Sequence, residues 1–367
     1  MKKIRVGILC GGVSAEHEVS LQSAKNVVDA LDREKFEPEL IGIDKNGRWL
    51  LQNPENFLAV NNGQAEIKLN SAGTQLAFAP NSRSLILCRE GEIPQPLKID
   101  IVFPILHGPF GEDGTVQGLL KLMNIPFVGS GILGSAAGMD KDIMKRILRD
   151  GGVPVGAFWA FNAYEKAPSY EEAAARLGTP LWVKPANMGS SIGVSKVHAK
   201  NEWDKALALA FQYDAKIILE EHIEGREIEC AILDGDTPLA SVPGEIKSTH
   251  EFYSYDAKYL DANGAVLDIP ARLDKDLTAH IQSLALKTFQ LLLCEGLSRV
   301  DFFVTADNKI LVNEINTMPG FTKISMYPKL LDASGIHYTE LITRLIETAL
   351  SRAGACSRTA SLPLSMT

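Results

Sequence analysis

A short apolar run from Ile4 to Cys10 stops at Gly11-Gly12, and beyond Ser20 the apolar residues Val27, Val28 and Leu31 recur at helical spacing. That pattern predicts a strand, a glycine turn and a helix. A second run, Glu39 to Ile43, precedes the hairpin pair Asn46-Gly47, and Asp100 to Leu106 reads as a buried strand ending at His107-Gly108. Strands alternating with helices predict a parallel, doubly wound sheet. Gln52 to Ser84 is polar and poorly periodic, so it reads as an insertion at the edge of this first unit rather than core.

A helix from Asp140 to Leu148 stops at Gly151-Gly152, which sets a boundary near Met139. The next unit reads helix (Ser169 to Leu177), strand (Leu181 to Lys184), Gly/Ser loop, strand (Ile192 to Val197), helix (Asn201 to Gln212) and strand (Ile217 to Glu221). After Ile223 come strands joined by Gly235-Asp236, a polar loop from Lys247 to Gly264, a helix near Asp274 to Leu293, two strands, and a last helix from Tyr338 to Leu350. The expected domains are 1–139, 140–222 and 223–350, with 351–367 a disordered tail.

Composition narrows the class. The 367 residues carry 37 Lys and Arg against 45 Asp and Glu, a net charge of −8, with no basic cluster, so nucleic acid is not an expected partner. No apolar stretch is long enough to span a membrane and the first apolar run is too short for a signal peptide, so the expected compartment is the cytoplasm. Five scattered cysteines without a Cys-x-x-Cys pair predict buried reduced thiols rather than disulfides or zinc.

The sharpest chemical signal lies between Ser298 and Asn316, where two apolar runs flank Thr305-Ala306-Asp307-Asn308-Lys309. A hairpin turning on Asp307-Asn308 sets Asp301 opposite Glu314 and Arg299 opposite Asn316, all four on one face. Like charges directly opposed destabilise a ladder. A divalent cation would relieve them, and two carboxylates with a carboxamide suit Mg²⁺; a salt bridge to Arg299 is the alternative. Lys184 to Gly193 forms a Gly/Ser loop between extended runs whose N–H groups could approach phosphate, without the Walker ending; a flexible turn is the alternative. Lys141 and Lys184 could reach the same phosphates or lie along the surface. Glu16, in Gly11 to Ser20, could bind a ligand ammonium or complement a helix dipole, and His107 could act in its loop or be satisfied by backbone. Tyr253, Tyr255, Lys258 and Tyr259 in the long polar loop predict closure over a ligand, with oligomer packing as the alternative.

Gly11 to Ser20, His107 to Gly118, Met139-Asp140-Lys141, Lys184 to Gly193, Tyr255 to Leu260, Arg299-Val300-Asp301 and Asn313 to Gly320 together resemble the D-alanine:D-alanine ligase family of the ATP-grasp superfamily, from about Ile4 to Leu350. The resemblance implies three α/β domains, the first Rossmann-like, with ATP between the sheets of the second and third. It implies ATP as co-substrate, two D-alanine molecules, a D-alanyl phosphate intermediate, and two Mg²⁺ or Mn²⁺ ions on Asp301, Glu314 and Asn316. A homodimer serving peptidoglycan precursor synthesis is expected.

By the same resemblance, Lys141, Lys184 and Lys258 contact phosphates and Ser190-Ser191 cover them, while Glu220, Glu221 and Ile223 line the adenine pocket and Glu227 meets the ribose. Glu16 and His107 bind the first D-alanine, Ser325 the second, and Met326 tunes that subsite. Arg299 and the Gly320 N–H stabilise the oxyanion. Glu16, Ser190 and Tyr259 form a hydrogen-bonded triad, and the tyrosine argues for an amine acceptor. Competing classes are a D-alanyl-D-lactate or D-alanyl-D-serine ligase or a carboxylase, a nucleotide-binding module without activity, and, on the first glycine turn alone, a nicotinamide dehydrogenase.

Overall fold

The computed structural model describes residues 2–53, 58–61, 64–71, 73–248, 265–322 and 324–360. Among these, the strands form three main sheets and one small ladder, Leu58–Asn61 with Gln64–Ile67. In the first sheet Ile4–Gly11 lies parallel between Phe36–Ile43 and Ile101–Pro104, as the apolar runs and the helix His17–Ala30 require. The parallel part is limited to these three strands. Trp49–Gln52, Thr74–Phe78, Ser84–Cys88 and Gln95–Lys98 extend it antiparallel. The stretch read as an insertion therefore contributes Thr74–Phe78 to the sheet itself, with Leu76 buried and Phe78 edge-on to Trp49 at 4.8 Å. Its polar alternation is that of a strand with one wet face.

The central sheet is antiparallel, in the order Phe158–Asn162, Lys216–Glu221, Leu181–Pro185, Ser195–Val197. Leu181, Val183, Ile217 and Leu219 face a core closed by Trp203 and Ala206 of the helix Lys200–Ala210. Alternation then puts Trp182, Lys184 and Glu220 on the opposite face. The helix Tyr170–Leu177 starts at a capping box in which Ser169 and Glu172 satisfy each other's backbone N–H. Strand Phe158–Asn162 has no counterpart in the sequence reading.

The third sheet runs Ala265–Asp268, Gly244–Ser248, Arg226–Leu233, Leu297–Val304, Ile310–Asn316, with Leu239–Ala240 also on Arg226–Leu233. Ile228, Cys230, Val300, Phe302, Val312 and Ile315 pack under the helix Lys275–Leu291. The helix Met326–Ala333 was not foreseen, and Tyr338–Ala360 runs ten residues past the expected Leu350, which corrects the first part of the expected tail. Arg352 ties this extension down by ion pairs to Asp234 and Glu295 at 3.6 and 3.4 Å. Residues 361–367 lie outside the described residues. Cys10, Cys88, Cys230 and Cys294 are unpaired thiols, three of them buried.

One apolar core joins the first sheet to the C-terminal helices. Phe321 sits at its centre, fully buried, with ring centroids 5.6 Å from Phe103 and 5.5 Å from Tyr327. Its backbone is held too, its N–H by Ser23 and its carbonyl by Tyr338. Phe321→Ala is expected to cost about 3–5 kcal/mol, the range for emptying a buried aromatic site, read as a lowered urea midpoint. A midpoint like that of the parent would show that this core does not hold the two ends together.

Candidate active site

The hairpin reaches the predicted pairing by a different route. Thr305 and Lys309 bond across a three-residue turn with Asn308 in the left-handed region (φ 61), so near the turn Val304 faces Ile310 and Phe302 faces Val312. A bulge between Asp301 and Phe302 then leaves Asn313 unpaired and shifts the register by one. Beyond it Asp301 faces Glu314 and Arg299 faces Asn316. Without the shift, Glu314 would share the core face with Val312.

The resulting face is charged. Arg299 donates two bonds to Asp301, both 2.7 Å, and its Nε lies 2.9 Å from Glu229, the residue that pairs with Asp301 on the neighbouring strand. Asn316 donates to Asp301 at 3.0 Å. Burial disfavours the Arg299 charge, but Asp301, Glu229 and Glu314 outweigh it and raise its pKa far above the ordinary value. The salt bridge to Arg299 is thus present, and it is compatible with a cation. Among the described residues no three His, Cys, Asp or Glu side chains are placed to hold a metal ion together; the facing set is two carboxylates and a carboxamide. Opposed hard-oxygen donors on one face fit Mg²⁺ or Mn²⁺ by their chemistry.

Two lysines reach this cleft from the helix Lys141–Asp150, whose N-terminus is capped by Asp140. Lys141 Nζ donates to the Met188 carbonyl at 2.7 Å and stands 3.4 Å from Glu314. Lys145, one turn later and buried, lies 2.9 Å from one oxygen of Glu220, whose other oxygen is 2.5 Å from Lys184. Burial would push the Glu220 carboxyl up; the two ammonium groups overcome it and hold the pKa at about 2. Each oxygen of the carboxylate proposed for the adenine pocket therefore has a lysine ammonium beside it.

The loop after Lys184 turns through Ser190 and Ser191, both in the left-handed region (φ 52 and 59), and Gly193. A Gly/Ser turn of this kind lets backbone N–H groups approach phosphate oxygens closely. Asn187 anchors the loop by two bonds to Asp214, and the Lys141 N–H bonds to the Ala186 carbonyl. At its tip the Ser190 hydroxyl donates to Glu16, from the first unit.

Around Glu16 two more loops meet. His107 is buried, with Nδ1 3.0 Å from the Met318 carbonyl oxygen and Nε2 3.3 Å from Ser23 Oγ. A carbonyl only accepts, so Nδ1 carries the proton, and burial lowers the pKa enough to favour this neutral form. Glu112 accepts from the Gly108 N–H at 2.7 Å and the Met318 N–H at 3.2 Å, linking the 107–112 and 317–320 segments. Burial, aided by the charge of Glu16, pushes its carboxyl up to about 8. Gly108 has φ +73, and a Cβ there would meet Glu16 at 2.7 Å, so no other residue suits it. Gly320 lies against Ser325, whose hydroxyl a Cβ would meet at 2.9 Å. Ser325 also bonds to the Thr322 N–H and hydroxyl. Met326 is buried in the main core, behind Ser325 rather than open to a subsite.

Glu221 bonds the Ala157 N–H at 2.7 Å, and Ile223 packs on Gly156, where the chain passes between the second and third sheets. Glu227 shares the charged face of Arg226–Leu233 with Glu229. Tyr253, Tyr255, Lys258 and Tyr259 lie outside the described residues. Sequence reading missed Lys145, Glu112 and Glu229. Lys145 stands four residues after Lys141 and Glu229 two after Glu227, so helical and strand periods could have found them; Glu112 depends on a contact 206 residues away.

A face of paired carboxylates opposite lysines and an N–H-lined loop can hold a polyphosphate with its counter-cations, beside a small acidic pocket for an ammonium. The family model described as D-ala D-ala ligase N-terminus matches residues 5–130, and that described as D-ala D-ala ligase C-terminus matches residues 147–347. The chain is 52% identical over 355 residues to "D-alanine--D-alanine ligase A" of Salmonella typhimurium, covering 96% of this chain and 97% of that one. Its structure resembles the D-alanine-D-alanine ligase from Coxiella burnetii (TM-score 0.84, 38% identity, covering 98% and 97% of the chains). It also resembles the VanG D-Ala:D-Ser ligase from Enterococcus faecalis (TM-score 0.83, 34% identity, 95% and 100%). With both halves of the family matched and the ATP-grasp architecture in place, this chain belongs to the D-ala D-ala ligase family.

Proposed function

We propose that this chain joins two D-alanine molecules to D-alanyl-D-alanine, a peptidoglycan precursor, at the expense of ATP. The single observation that carries the reading is the face of Arg299, Asp301, Glu314 and Asn316 set across a cleft from Lys141 and Lys184, with Glu16 closing one end. The γ-phosphoryl of ATP passes to a carboxylate oxygen of the first D-alanine, giving D-alanyl phosphate and ADP. The amine of the second attacks the acyl carbon, the C–O bond to phosphate breaks, and a proton leaves the new amide nitrogen.

Lys141, Lys184 and the N–H row at Ser190-Ser191 hold the phosphates, with Lys258 from the long loop as a further contact. Glu220, Glu221, Ile223 and Glu227 border the nucleoside end. Glu16 takes the ammonium of the first D-alanine, and His107 positions its pocket through Met318. Ser325 receives the carboxylate of the second. Arg299 and the Gly320 N–H face the oxyanion that develops during attack. Tyr259 would complete the Ser190–Glu16 contact and exclude water from the acylphosphate. Asp301, Glu314 and Asn316 would hold two Mg²⁺ or Mn²⁺ ions, which neutralise charge on the phosphates.

Among the described residues no helix is long and apolar enough to cross a membrane. We place the enzyme in the cytoplasm, with its ATP, and expect neither membrane nor nucleic acid as partner. A homodimer is supported by the exposed apolar side chains Leu122 (71%), Ile132 (41%) and Leu133 (63%) on the helices Thr115–Leu122 and Ile132–Met139, and by Leu293 (61%), whose backbone lies against Gly134.

Three outcomes test the reading. Phosphate release from ATP and Mg²⁺ should require D-alanine and fail with L-alanine, with D-alanyl-D-alanine identified by mass; a mixed product favoured from D-alanine with D-serine or D-lactate would move the acceptor assignment. Glu314→Gln should lower kcat at least roughly 100-fold, the scale of losing one charge-stabilising group, while the protein melts near the parent temperature; parent-like turnover would remove the metal assignment. Leu133→Asp should shift the sedimenting species from dimer to monomer, and an unchanged profile would place the interface elsewhere.

A further inference from the structure

The helix Lys141–Asp150 presents two lysines one turn apart, and only the first has a place in the mechanism above. Lys145 is buried to 2% exposure, in a fold where lysine is almost never so buried unless paired. Its partner is Glu220, which it shares with Lys184: Nζ of Lys145 lies 2.9 Å from one carboxylate oxygen and Nζ of Lys184 2.5 Å from the other. Glu220 projects from the strand Lys216–Glu221 on the same face as Trp182 and Lys184, opposite the packed core of the central sheet. The cluster therefore forms the floor of the cleft.

Charge decides what such a floor can do. Within the Lys145–Glu220–Lys184 cluster itself two ammonium groups and one carboxylate leave one positive charge, while Glu314 and Glu227 act on Lys184 from the third sheet and an anion with its counter-cations would meet both. With Lys145 removed, the same carboxylate would be neutralised by Lys184 alone and the net charge would fall to zero. Lys184 would then be held by Glu220 and drawn from the phosphates.

We infer that Lys145 is a positioning residue for ATP: by sharing the Glu220 carboxylate it leaves the Lys184 ammonium able to serve phosphate. This rests on the ATP-dependent reading above. It makes no contact between Lys145 and substrate, so the expected signature is a nucleotide effect transmitted through Glu220.

The test is a double-mutant cycle on the full-length protein with ATP, Mg²⁺ and D-alanine, together with ATP binding measured without D-alanine. Lys145→Met keeps the apolar stem and should raise both KM for ATP and the ATP Kd roughly tenfold to 100-fold, the scale of breaking a buried charge pair, with a smaller change in kcat. Glu220→Gln removes the anion that captures Lys184, and because Glu220 also borders the nucleoside end the double variant is compared with Glu220→Gln alone: there Lys145→Met should change the ATP Kd by less than about threefold. A buried strut would instead lower the melting temperature and leave KM unchanged; that result, or the same loss of ATP affinity from Lys145→Met with and without Glu220→Gln, overturns the inference. Should Lys145→Met not accumulate as folded protein, Glu220→Gln with and without Lys145→Met is compared, and KM values differing by more than about threefold overturn it. Parent protein that binds no ATP would sink the proposed activity itself, a result separate from failure of the Lys145 variants.

Discussion

Everything in the cleft answers to the repulsion between carboxylates that the third sheet forces side by side. Glu229, Asp301 and Glu314 occupy adjacent strands at paired positions, a placement that costs free energy in any isolated sheet. Arg299 absorbs part of it with a two-pronged bond to Asp301 and a contact to Glu229. Lys141 reaches across from another unit to Glu314. A surface assembled for stability alone would not collect so many like charges; the proposed grip on a polyphosphate through cations would use them.

The second sheet shows the inverse arrangement, a carboxylate placed between lysines. Glu220 stays ionised well below neutral pH because its two partners outweigh the cost of burial. The two faces thus differ in sign of local excess, as the proposed seat of a phosphate chain with its counter-ions requires. Holding these faces in register falls to ordinary packing: the core around Phe321 fixes the C-terminal helices to the first sheet, and the loops at His107 and Met318 ride on it.

The sequence showed the charged face because strand alternation is a local rule, even though its turn was misjudged. A two-residue turn and a regular ladder place Asp301 opposite Glu314; a three-residue turn followed by a bulge does the same, since each shifts the register by one residue. The strand Thr74–Phe78 was hidden by its polar wet face, and the continuation of the last helix past Leu350 depends on Arg352 finding distant carboxylates. Met326 shows the opposite limit. Its neighbour in sequence, Ser325, faces the cleft loop, yet the first turn of the helix carries Met326 into the core. Contacts made across hundreds of residues, such as Glu112 to Met318, have no periodic trace at all.

The bond from Ser190 to Glu16 spans 174 residues and joins the two ends of the cleft. Any cation drawn to Glu16 competes with, or reorients, the hydroxyl that steadies the tip of the phosphate loop. If the two ends bind as proposed, occupancy at one is coupled to occupancy at the other, and thermodynamic linkage makes the coupling reciprocal: whatever factor an amino acid imposes on nucleotide affinity, the nucleotide returns in equal measure.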